Sequence, residues 1–378
     1  MSASTTTRRV PFVDLASQHA EIADEVAEGF AAVLAETSFV QGKPVAQFEE
    51  AYAAYLGARH CVGVANGTDA LEIALRAVGV APGSEVILPA NTFIATAGAV
   101  ARIGATPVLV DTDEATLLID PSQVEAAITP RTAALLPVHL YGQVAPMEPL
   151  LAIAAKAGIP LIEDAAQAQG ARQGGRNAGT FGVAAGTSFY PGKNLGAYGD
   201  AGAVITGSAE LARTMRLIAN HGSEERYKHI VPGFNSRMDT LQAVALSAKL
   251  RRLARWNAAR RAAADRYSEL LADVEGLRLP ETAASNEHVW HLYVVRVRGG
   301  ASERDRVLAA LNEGGVGAAI HYPVPVHLHE AYASLGHRLG AFPVSEQAAG
   351  QILSLPLHPH LTDDDVEQVA GAVKAALA

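Results

Sequence analysis

The sequence predicts an α/β fold with a large domain over residues 1–249, built on a mainly parallel sheet flanked by helices, and a smaller α+β domain over residues 250–378. Three observations carry this. Between residues 60 and 163, short apolar runs of strand length alternate with helical patterns, as parallel sheets covered on both faces require. At 378 residues the chain exceeds what one hydrophobic core usually serves. After a long helical stretch at 240–267, strands recur with fewer helices between them.

Residues 1–9 read as a disordered tail and 11–15 as a short extended segment. Ile22, Val26, Phe30, Val33 and Leu34 recur at helical spacing, which predicts an amphipathic helix over 22–34. Phe48, Tyr52 and Tyr55 do the same over 45–56, with Gly57 as the stop. Residues 60–64 form a small strand, and Leu71, Ala74, Leu75 and Val78 mark the helix face that follows. Between them lies Asn66-Gly67-Thr68-Asp69. A strand, a Gly-Thr loop and a helix N-terminus make an anion site, because free N–H groups and the helix dipole point at the ligand. The structural alternative is a plain N-cap by Thr68 or Asp69.

Strands at 85–89, 106–111, 133–138 and 159–163 then alternate with helices at 95–102, 121–128 and 147–157. Sheets of this kind present functional groups at the carboxyl ends of their strands. Asp164 sits at such an end, and Gln167, three residues on, is placed to share a helical face with it. A strand at 199–205 and a helix at 211–218 follow. Residues 221–239 lack strong periodicity but are dense in polar groups: Tyr227, Lys228, His229, Asn235 and Arg237. The helix at 240–267 carries Arg251, Arg252, Arg255, Arg260, Arg261 and Arg266, read as a solvated face rather than a nucleic-acid surface. In the smaller domain, 291–297 and 316–321 read as strands, 352–357 as extended, and 304–313 and 363–377 as helices.

Composition excludes several function classes. Apolar residues make up 49 % of the chain, charged residues 18 %, and the net charge is −9, so a nucleic-acid partner is disfavoured. A single cysteine, Cys61, allows no intrachain disulfide and fits a reducing cytoplasm. No apolar run is long enough to span a membrane, and no signal-peptide pattern follows Arg8 and Arg9.

The chemistry centres on Thr187-Ser188-Phe189-Tyr190-Pro191-Gly192-Lys193-Asn194. A lysine just past a Pro-Gly turn and an apolar run can be desolvated, which lowers its pKa and frees a nucleophilic amine. The plain alternative is a surface lysine in a turn. A phosphate loop of the G-x-x-x-x-G-K-[ST] kind fails, because Gly186 to Gly192 encloses one residue too many and Asn194 replaces Ser or Thr. His321, His327, His329 and Glu330 have no usual metal-ligand spacing, so no metal is expected. A Schiff-base lysine, a strand-end carboxylate, a helix N-terminus and an aromatic, Phe93, together form the set that pyridoxal phosphate needs.

On these segments, with Pro89-Ala90-Asn91-Thr92-Phe93, Ile162-Glu163-Asp164-Ala165-Ala166-Gln167, Gly233-Phe234-Asn235-Ser236-Arg237 and His321-Tyr322-Pro323, the sequence resembles the DegT/DnrJ/StrS sugar aminotransferases. The resemblance implies the fold type I architecture of the aspartate-aminotransferase class. It implies that Lys193 would bond the cofactor aldehyde and carry the proton, that Asp164 would pair with the ring nitrogen, that Gln167 would meet the ring hydroxyl region and that Phe93 would stack on the ring. Gly67, Thr68 and Ser188 would bind the phosphate, with Asn235 reaching the phosphate of a neighbouring subunit, so a homodimer with a shared site follows. Tyr190, Tyr227, Arg237, His321 and Tyr322 would line a nucleotide-sugar pocket. The implied reaction moves an amino group from L-glutamate to a nucleotide-diphosphate keto sugar, with a dTDP-linked 3-keto-6-deoxyhexose favoured by the run 235–242. A family dehydratase is set aside because Lys193 is not histidine. The alternatives are a 4-keto-sugar or cyclitol aminotransferase, or a pyridoxal-binding regulatory protein without turnover.

Overall fold

The computed structural model describes residues 9–378. The sheet predicted for the large domain is present. Its strands are β1 (His60–Val64), β2 (Glu85–Pro89), β3 (Thr106–Val110), β4 (Thr132–Leu135), β5 (Ile162–Asp164), β6 (Ala184–Ser188) and β7 (Gly202–Thr206). Two ladders run in the order β3-β2-β4 and β5-β6-β7-β1. Parallel bridges Leu135–Leu161 and Val138–Asp164 join β4 to β5, so the order is continuous as β3-β2-β4-β5-β6-β7-β1. All pairings are parallel except those of β7, which is antiparallel to both β6 and β1. The sheet is therefore mixed and mainly parallel, and its middle strands are buried on both faces.

Helices cover both sides. Gly67–Ala77 buries seven consecutive residues, Asp69 to Leu75, between the sheet and the helix Ile94–Arg102. Met147–Ala157 packs on the opposite face with Ile87, Leu135 and Leu161. The 32-residue helix Thr240–Leu271 runs between two cores. Ala243, Leu246, Leu250 and Leu253 join the large-domain cluster with Phe48 and Phe189. Ala263, Ala264, Tyr267 and Leu271 join a second cluster with Tyr293, Val297, Leu353 and Val373. The expected division between residues 249 and 250 falls inside this helix. The second cluster is built on an antiparallel sheet, Leu277–Arg278, Tyr293–Val297 and Ile352–Leu355, with helices Ala301–Glu313 and Asp363–Leu377 over it.

The structure corrects several local expectations. Residues 316–321 form no strand. Val316 and Ala319 make only isolated bridges, to Val10 and Ser354, and Gly317 donates its N–H to the Val10 carbonyl at 2.9 Å. Residues 11–15 are not an extended unit; Asp14 caps a short helix, Leu15–Ala20, by accepting from the Ser17 N–H at 2.9 Å. After Asp164 the chain turns and forms no helix, so Gln167 reaches the site by another route. The arginine face of the long helix is mostly paired: Arg251 and Arg252 with Glu25, Arg255 with Glu21 and Arg266 with Glu367. Arg260 is the exception. It is buried and donates to the carbonyls of Leu357 (2.7 Å) and Trp290 (3.3 Å). Residues 1–8 of the expected tail lie outside the described residues.

Candidate active site

At the carboxyl ends of β1, β5 and β6 lies a cavity of about 720 Å³. Ten of the expected residues line it: Gly67, Thr68, Phe93, Asp164, Gln167, Ser188, Tyr190, Lys193, His321 and Tyr322. Tyr227, Asn235 and Arg237 do not line it. Tyr227 is 81 % exposed, and Arg237 is turned onto Asn235 (3.0 Å) and Asn220 (3.4 Å). Within one chain, Tyr227 and Arg237 stand outside the cavity they were expected to line, and Asn235, expected to reach a neighbouring subunit's phosphate, stands outside it as well.

The anion-site geometry follows from local sequence. Asn66, not Thr68 or Asp69, caps the helix, accepting the Asp69 N–H at 2.8 Å, which leaves Gly67 and Thr68 in the first turn. A Cβ on Gly67 would stand 2.5 Å from the Ser188 Cβ, so only glycine allows this turn to rest on the end of β6. The helix N-terminus and the Ser188 hydroxyl side of β6 therefore close on one small space, as a phosphate requires.

Asp164 ends β5 and is buried. Thr96 Oγ1 donates to its Oδ2 at 2.7 Å and the Ala166 N–H to its Oδ1 at 3.1 Å. Burial pushes this carboxyl above its ordinary range, while Thr96, Ala166, Lys193 and His139 pull it back. Behind it, Glu163 accepts N–H bonds from Gly179, Phe181 and Gly182, each at 2.7 Å, and a bond from His139 Nε2 at 2.8 Å. His139 Nδ1 accepts from the Ala145 N–H at 3.0 Å, so Nε2 carries the proton and donates. This fully bonded pair fixes the strand end on which Asp164 stands.

Burial lowers the Lys193 ammonium to about 8, against the opposing attraction of Asp164. The same site holds His321 near 4, through burial and the Lys193 charge, so its ring is neutral at pH 7. His321 Nδ1 lies 2.8 Å from Ser354 Oγ and its ring stacks on Phe12. Gln167 accepts from the Tyr141 N–H at 2.6 Å and donates to the Tyr322 hydroxyl at 3.0 Å. The Tyr322 ring meets Phe93, with centroids 5.1 Å apart.

Sequence reasoning missed Thr92, Thr96, His291, Phe12 and Asp200, all of which line the cavity. A signal existed for the threonines: they bracket Phe93 just past the carboxyl end of β2, where sheets of this kind present functional groups. His291 Nδ1 meets the buried Asn194 amide oxygen at 3.2 Å, a long-range contact with no local signature.

A desolvated lysine and a buried carboxylate facing one cavity, beside a helix N-terminus matched to a phosphate and an exposed aromatic ring, define a pyridoxal-phosphate transferase site. The residues present fit that group, and the comparisons agree: the DegT/DnrJ/EryC1/StrS aminotransferase family matches residues 20–374, and the chain belongs to it. It is similar to dTDP-3-amino-3,4,6-trideoxy-alpha-D-glucose transaminase of Streptomyces venezuelae, at 46 % identity over 99 % of this chain and 98 % of the relative. It is also similar to the erythromycin biosynthesis sensory transduction protein EryC1 of Saccharopolyspora erythraea, at 48 % identity over 97 % of this chain and 99 % of the relative. The crystal structure of S. venezuelae DesV in complex with a ketimine intermediate matches with a TM-score of 0.95 at 46 % identity, covering 98 % of each chain.

Proposed function

We propose that this aminotransferase places an amino group on the 3-keto carbon of a dTDP-linked 6-deoxyhexose, with L-glutamate as donor. The observation that carries the chemistry is the joint presence of Lys193 and Asp164 on one cavity. The substrate class is supported by relatives whose names specify amination at position 3 of a dTDP sugar, from S. venezuelae (46 %), Micromonospora megalomicea (46 %) and Aneurinibacillus thermoaerophilus (43 %).

When bound, pyridoxal phosphate supplies an aldehyde and an electron sink for amino transfer. The chain's own residues do the rest. Gly67, Thr68 and Ser188 would hold its phosphate, Asp164 its ring nitrogen, Gln167 and Tyr322 would stand at one edge of the ring, and Phe93 would lie against it. Lys193 would bond the cofactor's aldehyde and carry the transferred proton, a role suited to an amine that burial lowers to about 8. Tyr190, His321 and Tyr322 line the sugar end. Arg237 and Tyr227 lie outside this cavity, so we assign them, with Asn235, to the site of a second subunit. A reducing cytoplasm fits the single, buried Cys61, and no helix among the described residues is long and apolar enough to cross a membrane.

The test is to incubate the holoenzyme with glutamate and a panel of 3-keto and 4-keto sugars on dTDP and UDP. A 3-amino dTDP-sugar as the best product supports the reading; preference for a UDP or 4-keto sugar overturns its substrate. The name of EryC1 gives a second reading, a regulator without turnover. Conversion to the pyridoxamine form by glutamate alone excludes that.

A further inference from the structure

Behind Asp164 runs a chain of hydroxyls that the motifs do not explain. Thr96 is 1 % exposed, and its one proton goes to Asp164 Oδ2 at 2.7 Å. Thr96 therefore meets Thr92 as an acceptor, and the buried Thr92 Oγ1, 2.7 Å away, donates. Both protons point toward the carboxylate. The helix Ile94–Arg102 has no side-chain cap, so neither hydroxyl is engaged in capping it. Between the two threonines, Phe93 leaves the helix in extended conformation and turns its ring to Tyr322. One turn of chain thus serves both the cavity face and the carboxylate beneath it.

A carboxylate that loses its charge no longer pairs with a protonated ring nitrogen, and burial drives Asp164 in that direction. The foremost opposing group is the Thr96 hydroxyl. We propose that Thr96 is a positioning residue whose hydroxyl, oriented by Thr92, keeps the Asp164 carboxylate ionised and aimed at the ring nitrogen of pyridoxal phosphate. The proposal rests on the assignment of Asp164 as the partner of that nitrogen.

The experiment reconstitutes the protein with ring-¹⁵N pyridoxal phosphate and follows the ¹⁵N shift with pH, alongside cofactor dissociation. Thr96→Val is expected to lower the pKa of the ring nitrogen by about one unit, a tenfold change in protonation, and to speed cofactor loss. Thr96→Ser is expected to restore both, and Thr92→Val to give a smaller shift in the same direction. A wild-type shift in Thr96→Val, with a moved shift in Asp164→Asn, overturns the role of Thr96 alone. A wild-type shift in both overturns the Asp164 assignment and the proposal with it. Should Thr96→Val not fold, Thr92→Val decides: a lowered ring-nitrogen pKa supports the relay and an unmoved one refutes it.

Discussion

At the scale of single residues, the amine of Lys193 sets a pH dependence. A free lysine loses its proton near 10.5, whereas burial brings this one to about 8. The neutral amine attacks the aldehyde, so the rate at which cofactor-free protein takes up pyridoxal phosphate is expected to rise through pH 8 and to level off above it. Stopped-flow absorbance measures this; a rise that continues toward pH 10.5 would contradict the desolvated lysine. Lys193→Ala is expected to give no borohydride-trapped adduct. Asp164→Ala is expected to weaken cofactor retention and abolish turnover, and near-normal turnover would remove that carboxylate from the site. Both residues were legible in the sequence because each sits at a local signal, a Pro-Gly turn and a strand end. The residues that orient them were not. Thr96 acts on a residue 68 positions away, and His139 on one 24 positions away, contacts that no local periodicity reveals.

At the scale of elements, the proposed phosphate end depends on how closely the 67–77 helix approaches β6. Gly67→Ala is expected to push its first turn off Ser188, since the added Cβ falls 2.5 Å from the serine's own. The expected result is at least tenfold weaker binding of cofactor with the fold retained, read by equilibrium dialysis and circular dichroism; a substitution that small costs little elsewhere. The sequence placed nearly every helix because apolar residues recur at helical spacing. It missed β6, Ala184–Ser188, whose Ala-Ala-Gly-Thr-Ser run has only Thr187 to supply the β-branched or aromatic bulk of a typical strand. Small residues are needed there: a Cβ on Gly186 would meet Leu71 at 2.7 Å. The long helix shows the opposite error. Its arginines read alike, yet Arg260 alone turns inward to bond the carbonyls of Leu357 and Trp290. Arg260→Leu leaves two buried carbonyls unpaired and is expected to cost about 2–4 kcal/mol by urea unfolding.

At the scale of the whole molecule, the three expected site residues that miss their own cavity lie on one surface. Phe39 and Val40 are half exposed, and Val40 bridges Asp239, two residues from Arg237. Tyr227, Ile230 and Val231 are exposed on the neighbouring hairpin. Apolar surface of this extent beside polar site residues is what a protein interface presents, and a two-fold dimer would bring each copy of the segment to the other copy's site. That arrangement makes a prediction about mixtures which a self-contained site does not share. Lys193→Ala and Arg237→Ala are each expected to be inactive as homodimers. When the two are unfolded and refolded together, half of the dimers are mixed. In each mixed dimer one site pairs an intact Lys193 with Arg237 of the partner subunit, while the other site lacks both. Activity is then expected to recover to about one quarter of wild type. If Arg237 served its own chain, every site in the mixture would lack one group or the other, and no activity would return.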